Sequence, residues 1–130
     1  MTAMLDTDSC IYAQNQAPGF EPRLPWRDCS ISVVVLGELE RGVVRSRRRA
    51  FNRQRLNEFL AAVAIIDLDA AAARRYAVLR TYLEARGQSV GPNDFWIAAH
   101  ALARGATLVT NNLAEFRRVP GLSAESWMTA

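Results

Sequence analysis

Four acidic residues, Asp6, Glu38, Asp94 and Glu115, stand where this chain could do chemistry. Asp6 ends the apolar run Ala3-Met4-Leu5, the place where a buried strand would leave the core. In an open parallel sheet, ligands bind at the carboxyl ends of the strands. A carboxylate there is poorly placed for packing and well placed for catalysis. Glu38 follows a second apolar segment, Cys29-Ser30-Ile31-Ser32, closely enough to look back toward the strand ends. Asp94 lies in the first turn of a helix that precedes a further strand, and Glu115 comes just after that strand. Carboxylates gathered on one side of a sheet repel, and each raises its neighbours' pKa values. A divalent cation resolves that repulsion. An all-oxygen ligand set suits Mg2+ or Mn2+, whereas zinc would call for His or Cys. Ions held in this way activate water and clamp the leaving oxygen of a phosphodiester. The chemistry implied is metal-assisted hydrolysis of a phosphate ester.

The elements that must position these acids alternate between strand and helix. Residues 3–6 read as the first strand. Residues 7–16 read as a helix capped by Thr7 or Asp8 and stopped by Ala17-Pro18-Gly19. After a loop containing Pro22 and Pro25, residues 29–32 form a second strand. Ser32 then caps a helix over 33–44, in which Val35, Leu36, Leu39 and Val43 share one face. The charged stretch Arg45 to Arg55, with Arg47, Arg48 and Arg49 consecutive, leads into a helix whose buried stripe is Leu56, Phe59, Leu60 and Val63. Ala64-Ile65-Ile66 is a third strand. Asp69 caps a helix over 70–86 that turns Ala73, Tyr76 and Leu83 inward and closes at Gly87. A helix over 91–104, with Asn93 offering its cap, closes at Gly105. Residues 107–110 form a β-branched fourth strand, followed by a short helix near 114–117. This order predicts an α/β fold, a small parallel sheet flanked by helices in a single domain over 1–130.

Composition narrows the function classes. All 16 basic residues are Arg and there is no Lys, so mechanisms that need a lysine are excluded. The formal net charge of +3 leans toward an anionic partner. Guanidinium forks bind phosphate bidentately, which suits nucleic acid. Cys10 and Cys29 have no metal-ligand spacing and make no disulfide framework, which points to a reducing, cytoplasmic setting. No stretch approaches the roughly 18 apolar residues that span a bilayer, so no membrane partner is expected. The N-terminus carries no basic-then-apolar signal.

Several motifs then align in order. They are Asp6-Thr7-Asp8 after an apolar strand, Gly37-Glu38-Leu39 with Arg41-Gly42, Gly91-Pro92-Asn93-Asp94-Phe95-Trp96-Ile97-Ala98-Ala99-His100-Ala101, Leu108-Val109-Thr110-Asn111-Asn112, and Glu115-Phe116. Together they resemble the PIN-domain ribonucleases, specifically the VapC toxins of type II toxin–antitoxin pairs. The resemblance implies a PIN-like three-layer sandwich and Mg2+-dependent endonuclease action on RNA, with Mn2+ as a substitute. It also implies toxin homodimers and a cognate VapB-like antitoxin that blocks the acidic pocket. The family's first three acids fall on Asp6, Glu38 and Asp94. Asp6 and Asp94 would hold the principal ion, and Glu38 would ligate it or orient water. Two positions depart from the pattern: Asp8 stands where members commonly carry Asn or another small polar residue, and Asn111-Asn112 stand near the place of the fourth acid. The nearest acid there is Glu115, which would complete the pocket or hold a second ion.

Blander readings stand beside these. An acid at a strand end also serves as a helix cap, and Asp8 fits that role well. Thr110 and Asn112 could position water or simply satisfy a turn. His100 reads as a packed or surface residue, and Trp96 and Trp127 read as packing. The Arg45–Arg55 stretch could be a solvated helix face, a grip on RNA phosphates, or a contact for an acidic antitoxin segment. Haloacid-dehalogenase-like phosphatases and response-regulator receivers also begin with an acid-rich strand end, but both need the lysine this chain lacks. Two rivals remain: a PIN-like module that binds RNA or protein without cutting, and a DNA-directed nuclease on the same scaffold.

Overall fold

A computed structural model describes residues 2–129. Its centre is β1 (Ala3–Leu5), three fully buried residues. β1 lies between β2 (Cys29–Ser32) and β4 (Thr107–Val109), paired in parallel to both. β3 (Ala64–Ile66) extends the sheet beyond β2, and β5 (Ala124–Glu125) extends it beyond β4. The order is β3-β2-β1-β4-β5, parallel throughout. Chain order therefore reverses at β1, and a crevice opens at the carboxyl ends beside it.

Helices cover the sheet because each parallel connection needs a crossover. α1 (Thr7–Gln14) follows β1 and α2 (Val33–Arg45) follows β2. α3 (Arg49–Leu60) turns back to β3. α4 (Ala70–Ala85) and α5 (Pro92–Arg104) pack as a pair, and α6 (Leu113–Phe116) follows β4. α2 starts as expected: the Ser32 hydroxyl accepts from the Val34 N–H at 3.1 Å. Ser32 also meets the His100 Nδ1 at 2.8 Å, so the one histidine is fully buried and joins α5 to the head of α2. α5 closes on Gly105 at φ +62°, a left-handed position that glycine adopts without strain.

Several boundaries differ from the sequence expectation. α1 ends at Gln14, two residues early, because Gln16 turns to φ +48°. The inner face of α4 is Ala72, Leu79 and Leu83, whereas Ala73 is exposed. Tyr76 and Leu83 turn inward as expected; four alanines at the helix start carry little periodic signal, and it is Ala72 rather than Ala73 that is buried. α5 takes its cap at Gly91 with Pro92 at the first helical position, so Asn93 is already inside the helix. β5 was not expected at all. It is two residues long and exists through its pairing with β4.

Candidate active site

Strand ends and helix starts bring the acids together. The Asp6 backbone N–H donates to the Val109 carbonyl at 3.0 Å, which fixes the end of β1 against β4. The Asp6 carboxylate accepts from the Ser9 N–H at 2.9 Å. Asp6 itself is thus the cap of α1, in place of Thr7 or Asp8. A carboxylate has about four acceptor positions, so capping does not exhaust it. Asp6 is 7% exposed, and burial raises its pKa, while hydrogen bonds from Thr110 and Ser9 pull the value back. The hydroxyls of Ser9 and Thr110 are themselves anchored: Ser9 donates to the Val109 carbonyl at 3.1 Å, and Thr110 accepts from the Asn112 N–H at 2.9 Å.

Glu38 reaches the same place from α2. Its carboxylate accepts from the Thr7 hydroxyl at 2.5 Å, a bond between residues 31 apart in sequence. Thr7 therefore ties α2 to the end of β1, a role the sequence reading missed. The signal available was a hydroxyl directly beside the first acid.

Asp94 sits one turn into α5, and its carboxyl is raised to about 7. Burial is the largest cause, followed by the Glu115 carboxylate, the hydrogen bond to it, and the charges of Glu38 and Asp6. All four expected acids are therefore in electrostatic contact through Asp94. Glu115 is held from both sides: it accepts from the Gly91 N–H at 3.2 Å and from the Asn112 side-chain amide at 2.6 Å. A side chain at Gly91 would begin 3.3 Å from an Asp94 oxygen, so the backbone passes close to that carboxylate.

These groups surround a cleft of about 220 Å³ lined by Asp6, Thr7, Asp8, Glu38, Asp94 and Asn112, with Phe116 as an apolar wall. Asp8, expected as a helix cap, instead stands at the rim. Glu115 lies behind Asp94, outside the lining. Every donor is an oxygen, which suits a hard cation such as Mg2+ or Mn2+. Among the described residues no three side chains of His, Cys, Asp or Glu are already close enough to enclose an ion. Mg2+ does not require such a cage, because it keeps several waters and binds through one or two carboxylates plus substrate phosphate. The donor set fits that mode. Thiol chemistry is unavailable: burial pushes Cys10 far up and Cys29 up to about 11.

The family model for the PIN domain matches residues 3–122. Ribonuclease VapC2 of Rickettsia felis is 43% identical over 98% of both chains. The tRNA(fMet)-specific endonuclease VapC of Shigella flexneri is 39% identical over 95% of this chain and 96% of that one. Among solved structures, the DNA-bound VapBC complex of Salmonella typhimurium contains a chain that superposes with a TM-score of 0.91 at 35% identity over 98% of each chain. The family model spans most of the chain and the relatives cover nearly all of it, so the chain belongs to the PIN-domain family and, within it, to the VapC ribonucleases.

Proposed function

We propose that this chain is a Mg2+-dependent endoribonuclease toxin whose ion is held by Asp6 and Asp94, with Mn2+ as a substitute. The observation that carries the reading is Asp94, whose carboxyl is raised to about 7 by burial and by the acids around it. Such a cluster is costly when empty of countercharge and favourable once a divalent cation arrives. When bound, the ion supplies Lewis-acid polarisation of the phosphate and lowers the pKa of water. The protein's own part is orientation. Ser9 and Thr110 fix Asp6, Thr7 fixes Glu38 so that it can orient water, and Glu115 steadies Asp94 and the backbone at Gly91. Water attacks the phosphorus in line, the P–O3′ bond breaks, and the products carry a 5′-phosphate and a 3′-hydroxyl.

Three partners belong to this reading. The substrate is RNA, as the relatives' names state for those proteins. A cognate VapB-like antitoxin holds the toxin inactive, in keeping with the VapBC complexes among the structural relatives. A second copy of the chain makes a homodimer. Its apolar face would be the outer side of α4, where Val78 is 72% exposed beside a groove lined by Leu79, Tyr82, Leu102 and Pro120. Among the described residues no helix is long and apolar enough to cross a membrane.

The test is cleavage of a labelled RNA panel with Mg2+, with Mn2+ and with EDTA, comparing wild type with Asp94→Asn. Metal-dependent cutting should fall on the order of 10²-fold or more in the variant, since a Lewis-acid ion is worth several kcal/mol. Equal cutting by both proteins would remove Asp94 from the site. Absence of both cutting and Mg2+ binding in the wild type would leave the rival reading, a binding module.

A further inference from the structure

We propose that the corner between α2 and α3 is a second binding surface for the RNA strand, outside the acidic cleft and continuous with it; this rests on the ribonuclease reading above. Arg45, Arg47, Arg48 and Arg49 are exposed there and make no ion pair among the described residues. Phe51 is 44% exposed, with the Arg48 guanidinium 4.0 Å from its ring centroid and that of Arg55 at 5.4 Å. An aromatic ring offered to solvent between guanidiniums is what a nucleic-acid base and its phosphates can use together. Arg55 is tied to α1 through the Gln14 carbonyl and the Asn15 side chain, whereas among the described residues no hydrogen bond or ion pair holds the side chains of Arg45, Arg47, Arg48 or Arg49. Val44, beside Arg45, is 58% exposed, and Arg49 stands in the first turn of α3, the end where positive charge is unfavourable.

The surface also connects to the site. The acidic cleft shares Glu38 with a neighbouring groove of about 210 Å³ that passes Ile11, Gln14, Gly42 and Asn52. That groove shares Val43 with a third depression, where Val44, Arg49 and Ala50 form the wall. Gly42 lies on this path, and nothing stands within 4 Å of where its side chain would begin. A strand cut beside Asp94 can therefore run past Glu38 and Gly42 to Arg49, the first of the exposed arginines it would meet, with Arg53 beside it paired to Glu40. The acids repel phosphate until a cation arrives, so affinity for the rest of the strand must come from a surface of the opposite sign. Arginine forks supply it, and the surface at α2–α3 is joined to the cleft through the shared linings at Glu38 and Val43.

The test is fluorescence anisotropy with a labelled 24-nucleotide unpaired RNA in EDTA, over a range of salt. Four variants accompany the wild type: the triple Arg45→Gln/Arg47→Gln/Arg49→Gln, Phe51→Ala, Gly42→Glu, and the equal-charge set Arg74→Gln/Arg75→Gln/Arg86→Gln on α4 and its C-terminal cap as a control for net charge. The wild type binds without metal. The triple variant loses affinity, and its salt dependence flattens by roughly 0.7 for each phosphate contact removed. Phe51→Ala loses between about fivefold and hundredfold, the range of one lost stacking contact. Gly42→Glu folds, because a helix prefers Glu to Gly, and binds more weakly because a carboxylate now stands on the path. The α4 control binds as wild type. With a cleavable target, the triple variant raises KM and spares kcat. The proposal is overturned if the wild type does not bind in EDTA, if the three surface variants bind as wild type, or if the α4 control loses as much as the triple. It is overturned too if the variants weaken only the complex with the antitoxin, which would make the surface a protein contact. The ribonuclease reading stands or falls separately, on metal-dependent cutting by the wild type.

Discussion

The acidic cleft and the arginine corner are opposite treatments of like charge. In the cleft, Asp6, Glu38, Asp94 and Glu115 are half-buried or buried and face one another, and Asp94 answers by holding its proton up to about neutral pH. At the corner, Arg45, Arg47, Arg48 and Arg49 extend into water, where solvent and salt screen their repulsion. Burial turns repulsion into a demand for a counter-ion. Exposure turns it into reach toward a distant anion. One region is built for a small cation at fixed geometry, and the other for a flexible polyanion.

The sharpest way to break this comparison is to remove one cleft charge and follow stability. The folded pKa of Asp94, about 7, lies above its ordinary 3.8, so its contribution is fully present below 3.8 and is lost as pH rises through about 7. At pH 8 in EDTA the Asp94→Asn protein should therefore melt above the wild type. The gain should be roughly 3–6 °C for each kcal/mol of relieved repulsion, and it should vanish by pH 4. Saturating Mg2+ should raise the wild-type melting temperature at pH 8, by about 2.7 kcal/mol of stability at a hundredfold excess over Kd, and leave the variant unmoved. Identical melting of both proteins at pH 8 would mean the cleft stores no repulsion. A smaller effect comes from Thr7→Val, which keeps the branched shape and deletes the hydroxyl on Glu38. Turnover should drop by about 10–100-fold, the range for outer groups that hold a residue in place beside a metal site, with stability lowered by only about 1 kcal/mol. Unchanged turnover would show that Glu38 holds its position without Thr7. The smallest effect belongs to the corner: the triple Arg45→Gln/Arg47→Gln/Arg49→Gln protein should keep its unfolding free energy within about 0.5 kcal/mol of wild type in urea titration. A larger loss would mean these arginines brace the α2–α3 turn.

Much of this contrast was legible in the chain. Ser32 caps α2, Gly105 ends α5, and β1, β2 and β4 lie where their apolar runs place them, because these signals are local. The order of the four acids was legible for the same reason, each following an element that ends clearly. What the sequence could not show depends on partners far along the chain. β5 exists through β4, Thr7 matters through Glu38, and Glu115 enters the cluster through Gly91 and Asn112. On α4, Tyr76 and Leu83 face inward as their spacing says, while the choice between Ala72 and Ala73 was not legible because alanines at a helix start are indifferent to burial.

The central place of β1 has a consequence for how the molecule comes into being. The sheet closes around β1, made before the other four strands, yet its second neighbour, β4, begins at Thr107. Until then β1 has β2 on one side and an open edge on the other. The cleft likewise draws on residues from Asp6 to Glu115, nearly the whole length of the chain. At about 5–20 residues per second of synthesis, roughly 5–20 seconds separate the first acid from the last. A growing chain thus carries Asp6 and Glu38 long before it can cut anything, and competence arrives only once the segment through Glu115 has been made.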